Sequence, residues 1–125
     1  MSKNKKVLVG EDSSIIINLT KNVLAFENYE MKAARNGQLV LDLLDKEEFD
    51  LILLDITMPV MDGVECIRKI RTLDDPQKKS LPVIAISGNV NNLSPEQFRK
   101  LGFDDFIQKP LDYDQVLATV KKHLS

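Results

Sequence analysis

The chain has 125 residues, 43% apolar and 29% charged, with 17 Lys and Arg against 19 Asp and Glu for a formal charge of -2. This length suits a single domain, 1–125, with its own core, and the charge balance argues against direct nucleic-acid binding. One cysteine, Cys66, excludes an internal disulfide, and no run nears the roughly 18 apolar residues of a membrane helix.

The N-terminal MSKNKKVLVG carries too short an apolar run for a signal peptide. A soluble, cytoplasmic chain in a reducing compartment is expected. The basic clusters Lys3/Lys5/Lys6 and Lys121/Lys122 read as solvated termini.

KVLVG (6–10) reads as a first strand. Ser13 or Ser14 then caps a helix carrying Ile16, Leu19, Val23 and Leu24. YEMKAA (29–34) reads as a weaker second strand. Asn36-Gly37 opens a helix with Leu39, Val40, Leu43 and Leu44. DLILLD (50–55) is a buried third strand, and Asp62-Gly63 starts a helix that turns Val64, Ile67 and Ile70 inward. TLDDPQKKS (72–80) reads as a polar connection, and PVIAIS (82–87) as a fourth buried strand.

Ser94-Pro95-Glu96-Gln97 has a Ser cap, Pro at the first position and Gln placed to close a capping box. Gly102 ends that helix, and FDDFIQ (103–108) gives a fifth strand after a solvated Asp104-Asp105 turn. Asp112 with Gln115 caps a last helix whose Val116, Val120 and Leu124 share a face. His123 sits near its end, where a cation favours the helix dipole. Cys66 reads as a small helix residue facing the core.

Strict alternation of five strands and five helices predicts an α/β domain, a five-stranded parallel sheet covered by helices on both faces. The order most often seen with five such units is 2-1-3-4-5. Ligands in such sheets bind at the carboxyl ends of the strands. There stand Glu11 and Asp12 after strand one, Asp55 ending strand three, Ser87 ending strand four and Lys109 after strand five.

Three carboxylates in one small site repel one another unless a cation compensates. Oxygen-only ligands favour magnesium, or manganese, over zinc. A Lys and a Ser beside them suit a phosphoryl group, and a carboxylate can itself form an aspartyl phosphate.

The ordered pieces KVLVGEDS, DLILLDITMPVMDG, PVIAISGN and GFDDFIQKP resemble the receiver domain of two-component response regulators, of the chemotaxis-regulator kind, over residues 5–124. The resemblance implies a flavodoxin-like three-layer (βα)5 sandwich. It implies that Asp55 accepts phosphate from a sensor histidine kinase or a histidine phosphotransfer protein. Asp12 and Asp55, with the Thr57 backbone carbonyl, would bind magnesium, and Glu11 would help hold it. Lys109 would pair with the phosphate, Ser87 would be the switch hydroxyl and Phe106 the switch aromatic. A cis bond would precede Pro110. The domain would catalyse only its own phosphorylation and dephosphorylation, and no membrane association is implied.

Three departures from the family pattern stand out: Glu11-Asp12 in place of Asp-Asp, Ser87 and Phe106 in place of Thr and Tyr, and Gly88 in place of Ala. Gly88 is expected to open access to the phosphoryl group. On phosphorylation Ser87 would turn inward, Phe106 would follow, and the surface of the fourth helix, fifth strand and last helix would change for a protein target or a second copy.

Other readings fit less well. A haloacid-dehalogenase-type phosphatase needs a second Asp where Thr57 stands, and its nucleophile follows the first strand. A docking module without phosphorylation would not need every active-site group. A flavin phosphate would be repelled by Glu11-Asp12.

Overall fold

The computed structural model describes residues 4–88 and 93–124. Lys3 of the N-terminal basic cluster and Asn89 of PVIAISGN lie outside them. The strands are β1 (Lys6–Gly10), β2 (Glu30–Ala34), β3 (Leu51–Asp55), β4 (Val83–Ser87) and β5 (Asp105–Gln108). All pair in parallel in the order β2-β1-β3-β4-β5. The helices are α1 (Ser14–Ala25), α2 (Gly37–Lys46), α3 (Gly63–Arg71), α4 (Pro76–Lys79), α5 (Pro95–Leu101) and α6 (Tyr113–Leu124).

The central strands read as unbroken apolar runs because both faces of the sheet are covered. Every residue of β3 and β4 is buried. Alternation sends Leu8, Ile52, Leu54, Val83 and Ala85 to one face, against Val40 and Leu44 of α2, Ile67 and Ile70 of α3 and Phe98 of α5. Val7, Val9, Leu51, Leu53, Ile84, Ile86 and Ile107 face the other way, against Leu24 of α1 and Val116 and Val120 of α6. Each of these Val, Leu, Ile and Phe side chains contributes about 1.5–3 kcal/mol on burial. Cys66 is buried in the first of these layers, as its position in the helix predicts.

Local chemistry sets the helix starts. Ser13 accepts from the Ile16 N–H, Asn36 from Leu39 and Asp62 from Glu65. Ser94 and Gln97 form the expected capping box, and Gly102 closes α5 in the left-handed region at φ 115°.

Four expectations need correction. The 72–80 connection holds a one-turn helix, α4, because Asp75 caps the Gln77 and Lys78 N–H groups and Pro76 takes its first position. Leu19 and Leu39, which share the helical spacing of the inward residues, are instead 45% and 44% exposed. In α1 the inward places fall to Thr20 and Leu24, and in α2 to Gly37, Val40 and Leu44.

Asp104 and Asp105 are not a solvated turn. Asp104 accepts from the Val83 N–H at 2.8 Å and from Arg71 at 2.9 Å. Asp105 opens β5 and accepts from the Phe106 N–H at 2.9 Å. Its other oxygen lies 3.0 Å from His123 Nε2 and 3.7 Å from the Lys122 ammonium. His123 thus has a carboxylate partner in addition to the helix end.

Burial works to raise the Asp105 pKa, but the His123 hydrogen bond, the Phe106 N–H and the Lys122 charge outweigh it and hold it below the ordinary value. A depressed carboxyl stabilises the fold above its unfolded pKa and loses that contribution as pH falls through the folded one. Asp105→Asn is therefore expected to cost about 1 kcal/mol at neutral pH and progressively less as pH falls below the ordinary carboxylate range, read from paired thermal melts at neutral and acid pH. An equal cost at both pH values would reject the ionic contribution.

Candidate functional site

The strand order puts the ends of β1, β3, β4 and β5 side by side, and the candidate residues gather there. Glu11 follows β1 directly. Its N–H donates to the Ala34 carbonyl at 2.9 Å, which prolongs the β1–β2 ladder and turns Glu11 into the interior, 0% exposed. Asp55 closes β3 and is 1% exposed, while Asp12 stands at the surface. Carboxylate oxygens of Glu11, Asp12 and Asp55 all lie within 4.8 Å of one another.

Asp55 is held at both oxygens. Oδ1 accepts from the Thr57 N–H at 3.0 Å, and Oδ2 accepts from the Lys109 ammonium at 2.8 Å. Lys109 also pairs with Glu11 at 3.5 Å. Burial works to lower the Lys109 pKa, but Asp55 and Glu11 outweigh it and raise it. Lys109 is fixed by its own backbone: its N–H donates to the Ser87 carbonyl at 2.8 Å, and the bond to Pro110 is cis.

Glu11 is the electrostatic anomaly. Burial, then the Asp55 charge, push its carboxyl up to about 7, against the pull of the Ser13 N–H and of Lys109. Its Oε2 accepts from the Ser13 N–H at 3.1 Å, whereas its buried Oε1 makes no hydrogen bond among the described residues and has only the longer ion-pair contact with Lys109. A buried oxygen without a hydrogen bond, beside two further carboxylates, fits a hard cation with oxygen ligands.

Ser87 is 5% exposed at the end of β4. Ala85 pairs with Phe106 across β4–β5, so Ser87, two residues on, shares the face of the sheet from which Phe106 projects. Phe106 is half-buried against the layer that holds Ala85 and Phe98. The site residues expected at the sheet mouth are thus brought together, with Phe106 one step further back.

Two features escaped the sequence. Arg35 reaches from the β2–α2 loop, donating to the Asp12 carbonyl at 3.1 Å and to Ser14 Oγ at 2.7 Å, and so braces the acidic loop. The loop after Asp55 turns back on itself at Val60, at φ 68°, where the Met61 N–H donates to the Pro59 carbonyl at 2.7 Å. No local pattern marks Arg35, because its partners come from a different loop.

A family model for the response regulator receiver domain matches residues 7–121. The chain belongs to the response regulator receiver domain family. This receiver domain is 31% identical over 120 residues to the polar-differentiation response regulator DivK of Brucella anthropi, with 96% of each chain covered. It is 33% identical over 119 residues to hybrid signal transduction histidine kinase M of Dictyostelium discoideum, covering 93% of this chain and 5% of the kinase. A receiver domain protein (CheY-like) from Methanospirillum hungatei superimposes with a TM-score of 0.87 at 29% identity, covering 98% of this chain and 94% of that one.

The chain spans about half of one further relative, the transcriptional regulatory protein YxdJ of Bacillus subtilis, at 35% identity over 119 residues. Receiver domains of two-component systems thus occur alone, inside hybrid kinases and within longer regulators. They take phosphate from histidine kinases and use a divalent metal. Among the described residues no helix is long and apolar enough to cross a membrane.

Proposed function

We propose that this receiver domain is a phosphorylation-activated switch in which Asp55 accepts the phosphoryl group. One observation carries the reading: a buried carboxylate held between the Thr57 N–H and the Lys109 ammonium, beside two more carboxylates. The donor is a phosphohistidine on a sensor kinase or phosphotransfer protein. The Asp55 oxygen attacks phosphorus, the P–N bond breaks, and its electron pair returns to the imidazole.

Asp12, Asp55 and the Thr57 carbonyl would hold Mg2+, or Mn2+, with Glu11 beside them. The ion would supply positive charge to the phosphoryl oxygens. Lys109 would exchange its bond to Asp55 for one to the transferred group, and Ser87 would donate its hydroxyl to it. Such charge-assisted bonds contribute about 1.5–3 kcal/mol each, so two or three reach the roughly 5.5 kcal/mol that a nearly complete population shift requires. The surface of α5, β5 and α6 then changes for a protein target or a second copy of the chain.

Intact-protein mass after incubation with acetyl phosphate and magnesium tests the reading. One added, hydroxylamine-labile phosphoryl group supports it, and no addition, also with beryllofluoride as probe, rejects it. Beyond its own phosphorylation and dephosphorylation the domain is not an enzyme. Sustained turnover of a chromogenic phosphate ester would instead favour a phosphatase.

Gly88 tunes access to this site. A Cβ built there would lie 3.3 Å from Lys109 Cδ, so a side chain presses on the stem of the lysine. Gly88→Ala is expected to slow both dephosphorylation and labelling by acetyl phosphate about threefold, a barrier change of ~0.6 kcal/mol. Equal rates in the two proteins would discount any gating by this position.

A further inference from the structure

Phe106 does not stand alone behind the site. Its ring lies 4.8 Å from that of Phe98 on α5, with the planes only 11° apart. Phe98 is in turn met edge-on by Phe103, at 6.0 Å and 71°. Phe98 and Phe103 are 3% and 2% exposed, whereas Phe106 is half-buried, so the stack has two enclosed members and one at its margin.

The enclosed pair is braced by backbone. The Phe103 N–H donates to the Phe98 carbonyl at 3.1 Å, closing the turn through Gly102. Arg71 fixes that turn from α3: its Nε donates to the Gly102 carbonyl at 2.9 Å and its guanidinium binds Asp104 at 2.9 Å. The same guanidinium donates to the Leu81 carbonyl at 2.7 Å. Phe98 therefore offers a fixed aromatic platform, and the free choice belongs to Phe106.

We propose that Phe98 is a positioning residue that restrains the switch, holding Phe106 in its unphosphorylated place by ring stacking and so setting how readily the site at Asp55 is occupied. This rests on the reading of Phe106 as the aromatic that moves when Asp55 is phosphorylated. Phe106 has no hydroxyl with which to anchor itself, so apolar contacts hold it where it stands. A stacked aromatic pair adds attraction beyond buried area, and any displacement of the Phe106 ring from Phe98 forfeits it. By reciprocity, whatever opposes the movement also opposes the ligand that drives it.

The test is the apparent affinity of the whole chain for beryllofluoride with magnesium, in the wild type and in Phe98→Leu, Phe98→Tyr and Phe103→Leu. Phe98→Leu removes the stack and should tighten binding about two- to tenfold. Phe98→Tyr keeps the ring and should match the wild type. Phe103→Leu loses a similar buried ring without touching the Phe106 stack and should leave the affinity unchanged. Ordinary loss of packing would weaken binding, so a gain distinguishes restraint from damage.

Unchanged or weaker binding in Phe98→Leu, or the same gain in Phe103→Leu, overturns the proposal. Should Phe98→Leu fail to fold, Phe98→Met takes its place with the same expectations. A wild type that takes up no beryllofluoride would reject Asp55 as acceptor and leave the restraint to a separate reading. In that case Phe106 side-chain rotamer populations, measured by NMR on labelled phenylalanine, decide: a shift in Phe98→Leu alone supports the restraint, and no shift removes it.

Discussion

Asp55→Asn is expected to lose all uptake of phosphate from acetyl phosphate, with no added mass even at long incubation. The amide keeps the shape of the carboxylate but not its nucleophilic, anionic oxygen pair. Folding should not suffer in step. Burial and then the Asp55 charge raise the Glu11 carboxyl to about 7, so neutralising Asp55 relieves repulsion in a buried cluster. Against that stands the ion pair with Lys109 at 2.8 Å, whose ammonium keeps Glu11 as partner. The thermal midpoint of the variant should stay within a few degrees of the wild type. A variant that melts normally yet gains a phosphoryl group would move the acceptor elsewhere, with Asp12 the next carboxylate to examine.

The second large effect concerns a residue with no side chain. Gly63 starts α3, and its N–H donates to the Ile56 carbonyl at 2.8 Å. A Cβ built on it falls 2.5 Å from the Asp55 carbonyl oxygen and 2.7 Å from Ile56 Cα. Both neighbours are backbone, so neither can swing aside. Gly63→Ala must push α3 away from the end of β3, or shift Asp55 itself.

Overpacking of this kind costs about 1–3 kcal/mol and sometimes more, a fall of roughly 4–12 °C in melting midpoint. The rate of acetyl phosphate labelling should fall with it, since the nucleophile's own peptide is displaced. Gly88→Ala supplies the contrast, because its Cβ would meet only a lysine stem. If Gly63→Ala melts like the wild type, the close approach of α3 to β3 is not what holds this corner.

The unbroken runs of β3 and β4 made a parallel sheet covered on both faces legible, because a strand buried on both sides has no place for polar residues. The caps at Ser13, Asn36, Asp62 and Ser94 were legible for a different reason: they satisfy N–H groups within three residues, so the chemistry is local. Asp75-Pro76 carries the same kind of local signal, but one turn of helix with no buried residue leaves no apolar pattern to mark it within a polar run.

Leu19 and Leu39 show the limit of periodicity. Several apolar residues at helical spacing leave more than one possible inward face, and the neighbouring elements choose among them. In α1 they chose Thr20, which any hydrophobic count passes over.

By itself, the sequence determined which chemical groups end each strand and therefore what the sheet mouth can contain: carboxylates after β1 and at the end of β3, a hydroxyl at the end of β4, a lysine after β5. These follow from strand boundaries, which local patterns mark. Only the tertiary structure decided how those groups affect one another. The pairing of Glu11 with Lys109, the brace from Arg35 to Asp12 and the stack of Phe106 on Phe98 each join elements set apart in the chain. Their strength depends on distance and burial to within a fraction of an ångström, and no spacing along a sequence carries that information.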